Sequence, residues 1–342
     1  MVTIAEVARH AGVAPSTVCY VLTGKRTISA VTKSRVRASI RALGYQPQAV
    51  VRTAGGGRAN VIGLVLPLRA DTYLPSVTRF VAGAVTTARG YGMDLLLMTA
   101  DDGLPGLRRA ANAAQVDGLL VMDAEMEEDR LPLLRHLSIP SVLIGRTSPA
   151  SKLSCVDADF EAAGEKCLGH LADLGHRHVG FLGSPGAVYR DAGFARRTMA
   201  GFGAAAMRRG VAATTLAVEE DNAAVLRAVE VLVRANPSMT ALVVHNEAAL
   251  GGITACLRAA GRHVPGDIAV VAICADEVAE RMSPPLTSVR LPAQELGRQA
   301  VELLVAEFDG RKRPQVVLLP PQLTRRSSTP DPAAFRGVRT AG

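Results

Sequence analysis

No C-x-x-C pair occurs in the 342 residues, and the five cysteines (Cys19, Cys155, Cys167, Cys256 and Cys274) are odd in number and scattered. That pattern does not build a disulfide framework and lacks the ligand spacing of a structural zinc site, so reduced thiols and no metal are expected. No apolar run approaches the length that crosses a bilayer, and the polar, amphipathic first residues lack the apolar region of a signal peptide. A cytoplasmic protein with no membrane contact is the expectation. Neither a G-x-S-x-G elbow nor a G-x-x-x-x-G-K-[ST] phosphate loop is present, and the histidines are not spaced as a site. The chain therefore reads as a non-enzyme that needs no cofactor. Acid is scarce in one place. Residues 1–60 hold nine Lys/Arg against Glu6 alone, a net of +8, which equals the formal net charge of the whole chain. Everything after residue 60 sums to zero. A segment that takes the entire positive excess is an electrostatic footprint for phosphates.

That basic segment has a pattern of its own. Thr3 and Glu6 form a capping box in front of an apolar face made by Ile4, Val7, Ala8 and Ala11. Gly12 stands where a helix stops in the left-handed conformation, and Pro15 suits the first turn of the next helix. Val18, Val21 and Leu22 face inward on that second helix, leaving Ser16, Thr17 and Tyr20 outward. Helix, short turn and helix make a helix-turn-helix. A third helix is expected from an N-cap at Ser29 to Leu43, burying Val31, Val36, Ile40 and Leu43.

From Val61 the pattern changes to short apolar runs alternating with amphipathic helices. The runs are VIGLVLP, MDLLLMT, VDGLLVM and SVLIG, then HVGFLG, TTLAVE, ALVVHN and IAVVAIC. Such alternation implies parallel sheets covered on both faces. The length and the 48% hydrophobic content suffice for two domains beside a small head. The expected division is a head over residues 1–45 and a hinge or linker over 46–60. An N-terminal α/β lobe follows over 61–158 and 290–320, and a C-terminal lobe over 159–289. Residues 321–342 are expected as a closing strand and, from about Ser327, a loose tail.

TIAEVARHAGVAPSTVCYVLTGKRTIS, with RVRASIRALGYQPQAVVR after it, resembles the DNA-binding head of the lactose/galactose-repressor family. LGHRHVGFLG, TALVVHNEAALGGITACLRAAG, VPGDIAVVAI and PPLTSVRLPAQELGRQAVELL are similar to that family's sensor body. The resemblance implies an all-α helix-turn-helix head on a two-lobed, doubly wound body like that of periplasmic binding proteins. It implies a transcriptional regulator, a repressor, that binds a pseudo-palindromic operator as a homodimer and responds to a sugar-like effector between the lobes. Carried over by position, it places Thr3, Pro15, Ser16, Thr17, Tyr20, Thr23 and Arg26 at DNA, with Gln48, Val51 and Ala54 in the hinge. Asp71, Tyr73, Arg146, Arg196, Asn246 and Asp276 fall at the effector, with Arg197 a weaker candidate than Arg196.

Several positions depart from common family usage. Tyr20 stands where many members have Arg, which grips a guanine edge bidentately. Ala54 stands where many have a Leu wedge. Gly145, Thr198 and Cys274 replace an Asp, an Arg and an Asp of the usual sugar clamp. Two rival functions have their own requirements. A solute receptor for sugar transport requires a signal peptide and no basic head, and a sugar- or nucleotide-processing α/β enzyme requires a nucleophile or carboxylate pair at strand ends.

Overall fold

The computed structural model describes residues 3–23, 26–43, 59–66, 74–99, 107–108, 116–137, 139–147, 152–186, 188, 192–219, 221–310 and 314–329. The chain begins with three helices, α1 (Ile4–Ala11), α2 (Pro15–Thr23) and α3 (Ala30–Leu43). Both halves of the α1 capping box are formed. The Thr3 amide donates to Glu6 Oε2 at 2.7 Å, and the Glu6 amide donates to Thr3 Oγ1 at 3.3 Å. Gly12 takes φ +62° and closes α1, with the Val13 amide reaching back to the Ala8 carbonyl. Ser29 Oγ accepts from the Thr32 amide and caps α3 as expected. Val7, Ala8, Ala11, Val18 and Val36 form the core of this bundle, with Ile4, Val13, Val21, Leu22, Ile40 and Leu43 packed around it. Val31 is a correction: it is 77% exposed, because the first turn of α3 projects past the helices that α3 packs on, and Ser39 is buried on the inner face instead.

A first six-stranded sheet is built from β1 (Val61–Leu66), β2 (Asp94–Thr99), β3 (Gly118–Val121), β4 (Ser141–Ile144), β5 (Ser154–Ala158) and β11 (Val316–Leu319), in the order β11-β5-β4-β3-β1-β2. Its helices are α4 (Leu74–Gly90), α5 (Leu131–His136) and α11 (Ala293–Phe308). β1 runs parallel to β2, and β5 runs parallel to both β4 and β11. The entry to β1 is held by one carboxylate, Asp117, which accepts from the amides of Ala59 (2.8 Å), Asn60 (2.6 Å) and Val61 (3.3 Å).

The second sheet contains β6 (His178–Gly183), β7 (Ala212–Ala217), β8 (Ala241–Val244), β9 (Ala269–Ile273), β10 (Thr287–Arg290) and β12 (Gln322–Thr324), in the order β12-β10-β9-β8-β6-β7. Its helices are α6 (Phe160–Asp173), α7 (Gly193–Arg209), α8 (Asn222–Ala235), α9 (Leu250–Ala259) and α10 (Asp276–Glu280). The pairs are parallel except β10 with β12. Alternate residues face opposite sides, as the period of two requires. Phe181, Val243 and Val271 meet Leu168 of α6 and Phe202 of α7 on one face. Leu182, Val244 and Val270 meet Val229 of α8 and Ile253 of α9 on the other. Each such side chain contributes about 1.5–3 kcal/mol when fully buried. Among the described residues no helix is long and apolar enough to cross a membrane.

Three further expectations are corrected. β5 is a strand that the apolar pattern does not mark. VVLLPPQLTRRS, whose apolar run reads as one closing strand, is two strands, β11 in the first sheet and β12 in the second, separated by Pro320 and Pro321, which lack the amide a continuous ladder needs. Ser327–Thr329 is no loose tail. Ser328 is fully buried, donates from Oγ to the Val270 carbonyl at 2.6 Å and accepts from the Thr287 amide at 2.7 Å, while Thr329 Oγ1 lies 2.8 Å from Thr287 Oγ1.

Candidate nucleic-acid interface and effector site

The face that α2 turns outward carries Pro15 and Ser16, both exposed, and Thr17 and Tyr20, both half-buried. Arg26, in the following turn, lies with its guanidinium 6.0 Å from the Tyr20 ring centroid. This cation–π contact, about 0.5–1 kcal/mol at an exposed site, holds a positive charge beside the tyrosine. Arg9, Arg35, Arg37 and Arg41 are exposed on the same bundle. His10 Nδ1 lies 3.0 Å from Ser39 Oγ, whose hydroxyl reaches the Arg35 carbonyl at 3.0 Å, so α1 and α3 are pinned together. The Thr3 amide and hydroxyl are both engaged by Glu6, and they hold its carboxyl below the usual range. The Thr23 side chain, Gln48, Val51 and Ala54 lie outside the described residues.

Among the described effector candidates, Arg146, Asn246 and Asp276 follow the carboxyl ends of β4, β8 and β9, where open α/β sheets bind ligands, whereas Arg196 lies on α7. Asp71 and Tyr73 lie outside the described residues. Arg146 follows β4 and is half-buried, and its amide donates to Asp157 Oδ2 at 2.9 Å. Asp157, in β5, is 4% exposed, and burial pushes its carboxyl up to about 6 despite the Arg146 amide and the Arg197 charge. Of the two adjacent arginines on α7, Arg196 is exposed and Arg197 turns inward. Arg197 donates to Asp157 Oδ2 at 3.2 Å, to Met126 Sδ at 3.2 Å and to the Arg146 carbonyl. It thereby ties a helix of the second sheet to three strand ends of the first. The sequence did not single out Asp157 or Met126. A lone acid within the short SCVDA run was the available signal.

The remaining candidates are already committed to the fold. Asn246 is buried after β8 and donates from Nδ2 to the Val218 carbonyl at 2.9 Å. Asp276 opens α10. Its Oδ1 accepts from Ser288 Oγ at 2.7 Å and Arg326 at 2.9 Å, and its Oδ2 lies 3.1 Å from Arg290. Burial raises the Asp276 carboxyl, but the bonds from Arg326 and Ser288 outweigh it and hold it below the usual range. The three positions that depart from family usage have physical reasons. Gly145 takes φ +113°, which L side chains rarely adopt, and a Cβ there would stand 3.1 Å from the Ala124 carbonyl oxygen. Thr198 is fully buried and bonds back to the Phe194 carbonyl at 2.9 Å. Cys274 is buried, and burial pushes its thiol up to about 12.

His245, between β8 and Asn246, is 7% exposed and packs against Phe181 and Phe194, with ring centroids 6.0 and 5.8 Å away. Burial pulls its pKa down to about 4. A base depressed in the folded state contributes stability that is complete above its unfolded value near 6.5 and is lost as pH falls from there toward 4. Replacing it by Leu therefore has a pH-dependent cost. From pH 7 to pH 5 the difference in unfolding free energy moves by about 2 kcal/mol in favour of His245→Leu. Urea titrations at the two pH values measure it, and curves that keep a constant separation contradict a buried neutral imidazole.

The description "Bacterial regulatory proteins, lacI family" matches residues 3–48, and "Periplasmic binding protein-like domain" matches residues 168–329. The regulator CelR of Thermobifida fusca is 30% identical over 339 residues, covering 93% of this chain and 95% of that protein. The repressor PurR of Photobacterium profundum is 27% identical over 339 residues, 97% of this chain and 99% of that protein. Among solved structures, a CelR–cellobiose complex matches with a TM-score of 0.69 at 26% identity, over 96% of this chain and 100% of that one. A Lac repressor dimer bound to operator and an anti-inducer matches with a TM-score of 0.79 over 96% and 99%; at 23% identity that likeness shows the fold alone. A helix-turn-helix head joined to a periplasmic-binding-protein-like body defines a DNA-binding transcriptional regulator. With a relative of that class aligned along nearly its whole length, the chain belongs to the lacI family of bacterial regulatory proteins.

Proposed function

We propose that this regulator is a cytoplasmic repressor, without catalytic activity, that binds a two-fold symmetric operator as a homodimer and is released or retained by a small effector. The observation that carries the reading is the pairing of two features on one chain. All the net positive charge lies in residues 1–60, the head that carries α2 together with its linker, and a charged cluster at strand ends joins the two sheets through Arg197. The cellobiose complex among the similar structures supports a sugar-like effector. Pro15, Ser16 and Tyr20 face base edges, and Thr17, Thr23 and Arg26 lie near phosphates. Gln48, Val51 and Ala54 belong to the hinge. Arg146, Arg197 and Asp157 form the effector-side cluster, and Asp71, Tyr73 and Asn246 are carried as further effector contacts by resemblance to the family. Effector binding changes how the lobes close, and by linkage DNA alters effector affinity by the factor that effector alters DNA affinity.

Selection of DNA from a random pool by the full chain tests this. The expected product is an inverted repeat, since a symmetric dimer presents two heads to related half-sites. Tyr20→Arg is expected to move base preference at one pair in each half-site toward guanine without abolishing binding, because Arg alone forks onto O6 and N7. An unsymmetrical selected site would refute the homodimer, and an unchanged profile for Tyr20→Arg would remove Tyr20 from the reading face.

A further inference from the structure

The cluster around Asp157 is unbalanced in charge. Arg197 spends its guanidinium on Asp157, Met126 and the Arg146 carbonyl, and its side chain is 13% exposed. Arg146 gives Asp157 only its backbone amide. Among the described residues the Arg146 guanidinium has no hydrogen bond or ion pair, although its charge acts on both Asp157 and Arg197. Two half-buried cations thus share one carboxylate. The acids nearby do not redress this. Glu161 reaches Arg197 from the exposed start of α6, and Glu128, in the loop that carries Met126, accepts from the Glu125 amide at 3.1 Å. Cys155 remains a thiol, because burial pushes it up to about 11.

The neighbouring strand ends are neutral or taken. Gly145 and Cys274 carry no charge at neutral pH, and Asp276 is consumed by Arg326, Arg290 and Ser288. Glu247, which follows Asn246 after β8, keeps a carboxyl there, but burial pushes it up to about 7, so at neutral pH it is a weaker acceptor for the hydroxyls of a neutral sugar than an ordinary carboxylate. A guanidinium only donates, in a planar fork that matches a carboxylate or a phosphate. A half-buried cation without a partner is costly, and a bound anion removes that cost.

We propose that Arg146, flanked by Arg197, is an anion subsite, and that the effector carries a carboxylate or phosphate group that docks on it. This rests on the effector reading above and narrows its ligand class from sugars in general to acidic ones. Asp157 is the positioning residue: it fixes Arg197 and the backbone of Arg146, leaving the Arg146 fork for the ligand.

The test uses the full chain and its Arg146→Met variant, with inorganic phosphate, gluconate and glucose as probes at one ionic strength made up with sodium chloride. A ligand that binds only the folded state raises the unfolding midpoint. Phosphate or gluconate at tens of times its Kd is expected to raise the wild-type midpoint by about 2–6 °C, with no such rise in Arg146→Met. Comparison with the variant removes the general stabilisation that phosphate gives any protein. The responding anion identifies the group, phosphate or carboxylate. If Arg146→Met does not fold, Arg146→Lys keeps the charge without the fork and is expected to retain only part of the shift. Equal shifts in wild type and variant, or no shift with either anion, overturn the subsite. A shift with glucose alone, equal in both proteins, also overturns it while leaving the effector reading intact. Binding of the selected DNA by the same preparations is independent of all three probes, so failure of the regulator reading shows separately.

Discussion

Removal of residues 1–58 is expected to abolish DNA binding and to leave a folded body. Both halves of that result follow from where charge and anchoring lie. The deleted segment holds the nine Lys/Arg that make up the whole net charge of +8, so the remainder is neutral. Without that excess the counterion-release contribution to phosphate binding disappears, and non-specific affinity is lost along with specific affinity. The expected fall in operator affinity is at least about 10³-fold. The cut at residue 58 matters. Ala59, Asn60 and Val61 give their amides to Asp117, and that clamp starts β1. A truncation that spares it keeps the first sheet anchored, whereas one that extends past Val61 cuts into the strand. Gel retardation and a thermal melt of the same sample read the two halves. Operator retention by the truncated body would overturn the assignment of the head.

Gly201→Ala is expected to destabilise the body by about 3 kcal/mol, and Gly203→Ala on the same helix to leave it unchanged or raise stability by up to about 1 kcal/mol. The contrast comes from the crossing of α6 and α7. A Cβ on Gly201 would stand 2.0 Å from the Glu161 carbonyl oxygen, and one on Gly164 would stand 2.1 Å from that of Thr198. Those atoms are backbone, so one helix must move off the other. Nothing lies within 4 Å of a Cβ on Gly203, so alanine there gains helix propensity only. The midpoint of thermal unfolding should fall by about 6–12 °C for Gly201→Ala. Equal effects at the two positions would contradict the close crossing. Arg197 lies one turn before Gly201 on α7. A displaced α7 therefore also carries the guanidinium away from Asp157, and the variant should respond more weakly to any effector held by that cluster.

The head was legible because its signals are local. Thr3 and Glu6 are three residues apart, Gly12 ends the helix they start, and Pro15 begins the next. Each needs only its neighbours to act. Val31 shows the limit: its spacing fits the apolar face of α3, but whether anything covers that turn depends on α1 and α2. The alternating strands and helices of the body were legible for a related reason. Strands covered on both faces must be apolar throughout, so VIGLVL and ALVV stand out in any context.

The charged cluster was not legible in the same way. SCVDA is short and interrupted by an acid, so β5 escaped notice, and the arginine that meets Asp157 lies forty residues later. Arg196 and Arg197 are adjacent, so they point about 100° apart on a helix. Which one faces inward follows from how α7 packs on α6. The Ser327–Thr329 segment has the composition of a tail, yet Ser328 is buried because its hydroxyl joins β9 to β10. The sequence alone determined that a basic helix-turn-helix precedes a doubly wound body, since charge, caps and apolar period act over a few residues. Only the tertiary structure decided which charges meet. Burial and the pairing of distant side chains settle whether an Arg or an Asp balances the fold or waits for a ligand.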